Sequence, residues 1–435
     1  MKEKIWRIIY ILKSIKQSYF LSKKQLKSSD INFSKKTKKR ILIIVHEDFF
    51  THKGGVETYV LNLYKEFFKN KDFDFFYLCR LKSPKRRVGE IWRSENKNIF
   101  YINLSDGNIY SLVNSRIDNL FKKFILELNP EIIHFQHYIH FSLTWFEIIK
   151  NILPKTKIIL TLHEFLGICP NSGQMIKTKW CGFKLCDNST VENCKKCFPY
   201  LPEGIFLKRN KNVKKYFKYV DLITAPSKFV LERYKNFGLK NKMIYSENGQ
   251  EIFKNLPKTK SDKLRLLYLG QINKFKGLDI LLEAINKLSN NNVILSVYGK
   301  FQNNKKYNQK ILKMIKSLSN VKFYGSYNRN ELSKIFSKHD LLVVPSIWWE
   351  NSPMVIQESF ISKTPVLCSD IGGMKEKICE NTNGWYFKAG NSDDLMKKIK
   401  YLAENKTKLI LTDFKVKNIT EDIDGLLNIY LNIIN

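Results

Sequence analysis

The sequence predicts an α/β protein built from two doubly wound halves, in which strands and helices alternate along the chain. Short apolar runs such as Ile41–Val45 and Leu341–Val344 have the composition of central strands in a parallel sheet covered on both faces. Segments with helical periodicity follow these runs, as βα units require. The 435 residues also exceed what one hydrophobic core usually serves, and the polar stretch Lys254–Lys263 separates the two halves.

The composition is that of a globular chain with a large positive charge. Hydrophobic residues make up 43% of the chain and aromatic residues 13%, which argues against disorder. The net charge is +35, of which +11 falls in residues 1–40 and +24 in the other 395 residues. Anionic membranes, a phosphorylated donor and nucleic acid all attract such a charge. The sequence contains no aromatic RNA-binding motif, zinc-finger spacing or helix-turn-helix pattern, so we expect no nucleic-acid partner.

The first 40 residues are basic and precede the first predicted strand. No apolar run in the chain reaches the roughly 18 residues of a membrane-spanning helix. The opening segment is not a secretory signal, because charges interrupt its apolar core and it lacks a small-residue cleavage site. We therefore expect a cytoplasmic protein. The segment is either a basic amphipathic helix on the inner face of the cell membrane, or a leader or helix packed on the first domain.

The first half begins with a strand, a polar loop, the Gly54-Gly55 turn and a helix over Val56–Phe68. Two glycines at such a turn let the backbone approach a ligand closely. The turn matches neither a dinucleotide fingerprint nor a phosphate-binding P-loop. The strands predicted next are Phe73–Cys79, Phe100–Leu104, Glu131–Phe135, Lys157–Leu162, Leu222–Ala225 and Ile244–Asn248. The helices predicted next are Ile109–Leu128, Ser142–Ile152, Gly204–Tyr219 and a Ser227-capped helix to Phe237.

The histidines and cysteines of this half are candidate metal ligands. His134, His137 and His140 would align on a helix, but on a strand and loop they share no face, so we predict satisfied or exposed side chains. Five of the eight cysteines fall in the irregular stretch 169–197. A structural zinc in a reducing cytosol would use four of them: Cys181, Cys186, Cys194 and Cys197. Free thiols remain open, whereas disulfides would require export.

The second half repeats the alternation. The predicted strands are Leu264–Leu269, Val293–Tyr298, Val321–Tyr324, Leu341–Val344, Pro365–Cys368 and Asn383–Phe387. The predicted helices are one after Gly277, then Asn328–Lys338, Pro353–Ile361, one from Ser392, and the amphipathic Glu421–Ile434. Gly372-Gly373 predicts a second glycine turn.

The loop between Val344 and the helix at Pro353 is the strongest candidate for a ligand site. Ser352 is a good N-cap and Pro353 suits a first helical turn. The following N–H groups, of Met354 to Ile356, begin a helix at the carboxyl edge of the sheet and suit a phosphate. Glu350 precedes this helix, and Glu358 inside it can accept two hydrogen bonds from a vicinal diol such as a ribose.

The order strand, Pro-Ser, aromatic pair, Glu-Asn-x-Pro and Glu resembles the E-x7-E signature of retaining nucleotide-sugar glycosyltransferases of family 4 (group 1). The stretches GGVETY, HEFLGICP with its cysteine-rich insertion, and APSKFVLERY are also similar to that family. The resemblance covers roughly residues 41–400. It implies a GT-B architecture of two facing Rossmann-like domains with the active site in the interdomain cleft.

The resemblance also implies domain bounds and roles. The acceptor-side domain would be 41–250, with the insertion at 169–197, the donor-binding domain 251–420, and helix 421–435 would cross back to the first domain. His163 and Glu350 would be catalytic, beside the donor sugar. The implied donor-binding residues are Gly55, Gly270, Gln271, Lys276, Asn351, Ser352, Pro353, Met354, Val355 and Glu358, and the acceptor-side residues are Gly54 and Glu57. Gln271 departs from the arginine that, with Lys276, would clamp the donor pyrophosphate.

The implied reaction is retaining transfer of a hexosyl group from a UDP- or GDP-sugar to a saccharide or lipid-linked saccharide, in surface polysaccharide biosynthesis. It needs no catalytic metal or other cofactor, because the helix N-terminus and Lys276 would carry the leaving diphosphate's charge. Asp72-x-Asp74 formally matches a metal-binding motif, but its position predicts a turn. Two alternatives stay open: a nucleotide-sugar 2-epimerase of the same architecture, and a non-catalytic basic binding protein, for which Gln271 is the one indication.

Overall fold

The computed structural model describes residues 31, 33, 35–51, 54–96, 98–106, 109–114, 117–177, 184–288 and 292–435. Most of the basic N-terminal segment therefore lies outside the described residues, and so does the membrane-surface helix predicted there. Two mainly parallel sheets organise the described chain, one in each half. No described helix is long and apolar enough to cross a membrane.

The first sheet has eight strands, and its centre is fully buried. These strands are β1 (Lys39–Val45), β2 (Phe73–Arg80), β3 (Ile91–Arg93), β4 (Ile99–Ile102), β5 (Ile132–Phe135), β6 (Lys157–Thr161), β9 (Leu222–Ala225) and β10 (Met243–Tyr245). Their order is β10-β9-β6-β5-β1-β2-β4-β3, and only the edge strand β3 runs antiparallel to its neighbour. β7 (Ile176–Lys177) and β8 (Lys184–Leu185) form a separate small ribbon. Ile41–Val45 are completely inaccessible, as the apolar run predicts.

The helices of the first half cover both faces of this sheet. They are α1 (Gly55–Phe67), α2 (Asp118–Leu128), α3 (Thr144–Ile152), α4 (Val191–Cys197), α5 (Glu203–Phe217) and α6 (Lys228–Phe237). The Ser227 cap of α6 is confirmed, because its hydroxyl accepts the N–H of Val230. The prediction that a helix begins at Ile109 is wrong. The Ser111 hydroxyl accepts the N–H of Val113 and Leu112 has a φ of 57°, so this segment forms a turn.

The second sheet has six parallel strands. They are β11 (Leu264–Leu269), β12 (Val293–Tyr298), β13 (Val321–Gly325), β14 (Leu341–Val344), β15 (Val366–Ser369) and β16 (Gly384–Phe387), in the order β13-β12-β11-β14-β15-β16. The helices are α7 (Leu278–Asn286), α8 (Lys305–Lys316), α9 (Leu332–Ser337), α10 (Met354–Ile361), α11 (Gly372–Lys377), α12 (Ser392–Glu404) and α13 (Ile419–Ile434). The glycine turn predicted at Gly372 is instead the start of α11.

The last helix, α13, returns to the first half and packs on α1. The Tyr59 hydroxyl on α1 donates to Asp422 at 2.8 Å. The Tyr430 hydroxyl lies 2.7 Å from Nδ1 of His134, which is fully buried in β5. Asp422 also accepts the backbone N–H of Gly249 at 2.8 Å, just after β10. The chain end therefore holds α1 and the connection between the two halves.

Candidate active site

The carboxyl edges of the two sheets face one another, and the loop after β14 contacts both. Asn351 accepts a hydrogen bond from the Ser227 hydroxyl at 2.6 Å and donates to the carbonyl of Leu162 at 3.2 Å. On the opposite wall, a Cβ placed on Gly55 would lie 3.8 Å from the sulfur of Met354. The glycine turn before α1 and the start of α10 are therefore neighbours across a narrow cleft.

Two glycines allow the backbone of this loop to pack against its neighbours. Gly277 has a φ of +66°, and a Cβ there would lie 1.9 Å from the carbonyl oxygen of Pro345. A Cβ on Gly373 would lie 1.5 Å from the carbonyl oxygen of Asn351. The Gly373 N–H donates to the carbonyl of Glu350 at 2.8 Å. The loop that carries Glu350 is therefore fixed by backbone contacts.

The start of α10 differs from the prediction by one residue. The helix begins at Met354, because Pro353 has an extended ψ of 117° and occupies the N-cap position. The prediction that Ser352 caps the helix is wrong. Its hydroxyl is buried and has no hydrogen-bond partner among the described residues. The N–H of Ile356 donates to the carbonyl of Pro353 at 3.1 Å, so Met354 and Val355 carry the leading N–H groups of the helix.

Glu350 is a buried carboxylate held by three donors. It is 7% exposed, and one oxygen accepts hydrogen bonds from Lys276 at 2.6 Å, Ser346 at 2.7 Å and the Trp348 indole at 2.7 Å. Burial alone would raise the pKa of Glu350, but the Lys276 ammonium and these hydrogen bonds outweigh it and lower the pKa. Glu350 is therefore an anion paired with the lysine that was predicted to bind pyrophosphate.

Glu358 is also buried and also paired. It is 6% exposed, and it accepts a hydrogen bond from Arg329 at 2.9 Å. Burial raises the pKa of Glu358, and the Arg329 guanidinium only partly offsets this. Arg329 also donates to the side chain of Gln250 at 3.3 Å. Sequence reasoning missed Arg329, because a short turn 29 residues before Glu358 carries no signal for this contact.

The remaining predicted donor-side residues lie in the loop after β11. Gln271 has an exposed side chain, and its carbonyl accepts the Tyr268 hydroxyl at 2.9 Å. Gly270 has a φ of +148°. The loop thus places Lys276 at Glu350 and leaves the Gln271 side chain toward solvent.

The opposite wall contains a neutral imidazole, that of His163, and a buried carboxylate, that of Glu57. His163 directly follows Leu162 at the end of β6, and its Nε2 lies 2.8 Å from the Gln136 side-chain oxygen. Burial lowers the pKa of His163 to about 3, so its imidazole is neutral. Glu57 is 2% exposed and lies 3.0 Å from His46 Nε2. A Cβ on Gly54 would lie 2.1 Å from a Glu57 oxygen, so the glycine makes room for this carboxylate.

The other histidines of this half divide between the wall and the core. The rings of His46 and His137 lie 4.1 Å apart, and His137 Nε2 is 3.7 Å from Glu164. His134 bridges Tyr430 and Thr161 in the core, as a satisfied histidine does. Sequence reasoning missed His46 and Gln136 as wall residues. Their only signal was their position after β1 and β5, at the carboxyl edge of the sheet.

The cysteines do not support the zinc prediction. Cys181 lies outside the described residues. Cys186, Cys194 and Cys197 line a small pocket together with Cys169. Burial raises the pKa of Cys169 to about 11 and that of Cys194 to about 12. Within the described ranges, no group of three or more His, Cys, Asp or Glu side chains could hold a metal ion.

Comparisons with known proteins match this arrangement over most of the chain. The family described as "Glycosyltransferase Family 4" matches residues 53–249, and the family described as "Glycosyl transferases group 1" matches residues 249–414. An uncharacterized 41.2 kDa protein in the cps region of Klebsiella pneumoniae is 27% identical over 351 residues, covering 77% of this chain and 83% of that protein.

A second relative and a solved structure extend the comparison. An uncharacterized glycosyltransferase of Methanocaldococcus jannaschii is 28% identical over 207 residues, covering 47% of this chain. The match spans only 56% of that relative's length. The structure of Anabaena HepE in complex with UDP and glucose superposes with a TM-score of 0.61 at 16% identity, covering 89% of this chain and 98% of that one. At this identity the similarity concerns the fold alone.

Proposed function

The chain belongs to the glycosyltransferases of family 4 and group 1 and has the GT-B fold, and from this membership we propose that it is a retaining, metal-independent hexosyltransferase. Its donor would be a UDP- or GDP-sugar, bound in the cleft between the two sheets. Its acceptor would be a saccharide or lipid-linked saccharide, and its product part of a surface polysaccharide.

One observation carries this proposal: two buried glutamates flank the start of α10, and each is paired with a cation. Glu350 pairs with Lys276 at 2.6 Å, and Glu358 pairs with Arg329 at 2.9 Å. Buried carboxylates are costly unless paired, so their presence at the cleft favours a binding role. When the donor binds, its diphosphate and its hydroxyl groups could each replace one partner of these two ion pairs.

In the proposed donor complex, the diphosphate accepts hydrogen bonds from the Met354 and Val355 N–H groups at the helix N-terminus. Lys276 leaves Glu350 for the diphosphate, and it then balances the charge of the leaving group. Glu358 leaves Arg329 and accepts the two ribose hydroxyls. Glu350, freed from its lysine, contacts the donor sugar.

The opposite wall would hold the other side of the sugar and the acceptor. The neutral His163 imidazole can exchange hydrogen bonds with a sugar hydroxyl without adding charge. Gly54, Gly55 and Glu57 border the acceptor and the donor phosphate. Gln271 supplies no charge to the diphosphate, so this donor site would bind more weakly than one that contains arginine.

Two comparisons support the choice of substrates. The HepE structure contains UDP and glucose, which supports a UDP-sugar donor here. The Klebsiella relative lies in a cps region, which supports a place in polysaccharide synthesis. A lipid-linked acceptor and attachment to the inner membrane surface through the basic N-terminal segment complete the proposal.

The test is a thermal-shift and calorimetric titration with UDP-, GDP- and ADP-sugars, on the wild type and on Glu358→Ala. The matched control is Glu283→Ala, which removes a half-exposed glutamate of α7 that pairs with Lys310 of α8. We expect saturable stabilisation by one nucleotide-sugar that only Glu358→Ala loses. No binding by the wild type would contradict the proposal. Conversion of the sugar without any acceptor would identify an epimerase instead.

A further inference from the structure

Trp349 directly precedes Glu350, but its side chain packs on the other half of the molecule. Its indole N–H donates to the backbone carbonyl of Cys186 at 3.1 Å. Its ring lies 5.0 Å from the ring of Phe229 at the start of α6, and it packs against the core of the first half. A residue of the donor-side loop is therefore docked on the cysteine-rich segment.

Arg233 joins the two partners of this contact. Its guanidinium carbon lies 4.6 Å from the centroid of the Trp349 ring, within cation–π range. The same guanidinium donates to the carbonyl of Asp187 at 2.9 Å. Only 17% of the Arg233 side chain is exposed, which strengthens the contact with the ring. The carbonyl of Cys186 thus accepts the indole N–H, and the carbonyl of Asp187 accepts a hydrogen bond from the guanidinium that contacts the ring.

Trp348, the other tryptophan of the pair, anchors the loop in the opposite direction. Its indole N–H donates to Glu350 at 2.7 Å, and its ring stacks on Phe275 with 5.5 Å between centroids. The two adjacent indoles therefore contact different halves of the molecule. Glu350 therefore follows a dipeptide that is fixed to the donor half through Trp348 and to the first half through Trp349.

We propose that Trp349 is a positioning residue for Glu350, and that Cys186–Asp187 of the cysteine-rich segment is therefore a working part of the donor site. This inference rests on the proposed function, in which Glu350 contacts the donor sugar. Trp349 does not touch the donor itself. It fixes the backbone of its neighbour, so its loss displaces Glu350 while the groups that bind the nucleotide stay in place.

The experiment compares full-length Trp349→Ala, Trp349→Phe and the wild type by UDP titration calorimetry and by UDP release from a panel of UDP-sugars. We expect Trp349→Ala to lower kcat at least tenfold while the UDP dissociation constant changes less than twofold. Trp349→Phe keeps the ring and loses only the N–H bond, so its kcat should fall between the two. Arg233→Met tests the same contact from the other side, with a several-fold loss of kcat.

The matched control is Trp92→Ala. Trp92 lies on the edge strand β3. The guanidinium carbon of Arg86 lies 4.5 Å from the centroid of its ring, an arrangement similar to that of Arg233 and Trp349. This control should keep kcat and UDP affinity within twofold.

Two outcomes would overturn the inference. Trp349→Ala could keep the wild-type kcat, or its kcat and UDP affinity could fall together, as expected of a purely structural role. A wild type that binds no UDP and releases none from any UDP-sugar would instead count against the donor assigned under the proposed function. The two failures are therefore distinguishable.

Discussion

The two walls of the cleft hold their polar side chains in different ways. On the second-sheet wall, each predicted glutamate is buried beside a cation: Lys276 at Glu350 and Arg329 at Glu358. On the first-sheet wall, His163 is hydrogen-bonded to an uncharged amide, and its pKa is lowered to about 3. We call the second-sheet wall the charged wall, because cations pair with both of its glutamates; on the first-sheet wall, His163 is neutral and the Glu57 carboxylate lies against His46.

This difference suggests that the two walls bind different parts of the substrates. Ion pairs can exchange partners with a charged ligand, and the ligand then replaces the interaction that it breaks. Neutral imidazoles cannot do this, but they can orient a hydroxyl without attracting a counterion. We therefore expect the second-sheet wall to respond to changes of charge, and the first half to respond mainly to acid.

The largest effect should come from Lys276→Met. This substitution removes the cation from the proposed diphosphate site and leaves Glu350 buried without its strongest partner. We expect kcat for glycosyl transfer to fall by roughly 10²–10³, the range found when one stabilising group of an active site is removed. The measurement is the rate of UDP release at saturating donor.

Lys310→Met is the control for this prediction. Lys310 also forms an ion pair in the second half, with Asp279 at 3.1 Å, but on the outer helices α7 and α8. Its loss should leave kcat within twofold. If Lys276→Met kept more than a tenth of the wild-type rate, the charged wall would not carry the leaving group.

On the first half, acid should destabilise the fold through His134. This histidine is completely buried, and burial lowers its pKa to about 3. In the unfolded chain this histidine takes up a proton near pH 6.5. Its contribution to the free energy of unfolding is therefore complete above that pH and is lost as the pH falls toward 3. Between pH 7 and 5, His134 should lower the free energy of unfolding by about 2 kcal/mol.

His134→Gln tests this prediction by urea unfolding at both pH values. Between pH 7 and 5, the free energy of unfolding of the variant should fall by about 2 kcal/mol less than that of the wild type, whatever the variant's stability at pH 7. Thr224→Val is the control, because Thr224 lies 2.8 Å from Thr161, the partner of His134, but does not titrate. Equal pH dependence in the wild type and His134→Gln would show that His134 is not the acid-sensitive group.

The contrast between the walls also shows what the sequence could predict. The strand Leu341–Val344 and the two glutamates were found because apolar runs and loop-helix junctions leave a local pattern. The fold class follows from the same alternation, repeated along both halves. Residues at carboxyl strand ends, such as His163, meet at one sheet edge for topological reasons.

Pairings between distant residues could not be predicted in this way. Lys276 was assigned to a diphosphate, and nothing in the spacing shows that it binds Glu350 when no ligand is present. Arg329 reaches the cleft only through tertiary contacts. The Ser352 cap failed for a local reason, since Pro353 keeps an extended ψ and so delays the helix to Met354. The zinc prediction depended on spacing alone; the described residues do not support it, and one of its four thiols, Cys181, lies outside them.

A smaller effect is expected from Arg329→Met, which leaves Glu358 buried without a cation. Burial already raises the pKa of Glu358, and removing the guanidinium that lowers it should raise the pKa further. A protonated carboxyl is a poorer acceptor for a diol, so donor affinity in Arg329→Met should fall about tenfold below that of the wild type at low pH and recover as the pH rises. Donor titrations over a series of pH values measure this.

The matched variant for this prediction is Lys398→Met, which removes the lysine from an exposed glutamate, Glu380, at 3.4 Å. Its donor affinity should not depend on pH beyond that of the wild type. A pH-independent loss in Arg329→Met would mean that the arginine contacts the donor directly, and that Glu358 is not the group that titrates.

The smallest effect should come from Gln271→Arg, which adds a cation to the charged wall. The Gln271 side chain is exposed, so an arginine fits without displacing the core. In the proposed complex Lys276 already binds the diphosphate, so a second cation should tighten nucleotide-sugar binding only about threefold to tenfold. Added salt should weaken this gain, because the new charge lies at the surface.

Gln271→Met, of similar length and without charge, should give no gain in donor affinity. If Gln271→Arg bound the donor no more tightly at low salt, the diphosphate would not lie beside position 271. The groups that hold the diphosphate would then be Lys276 and the N-terminus of α10.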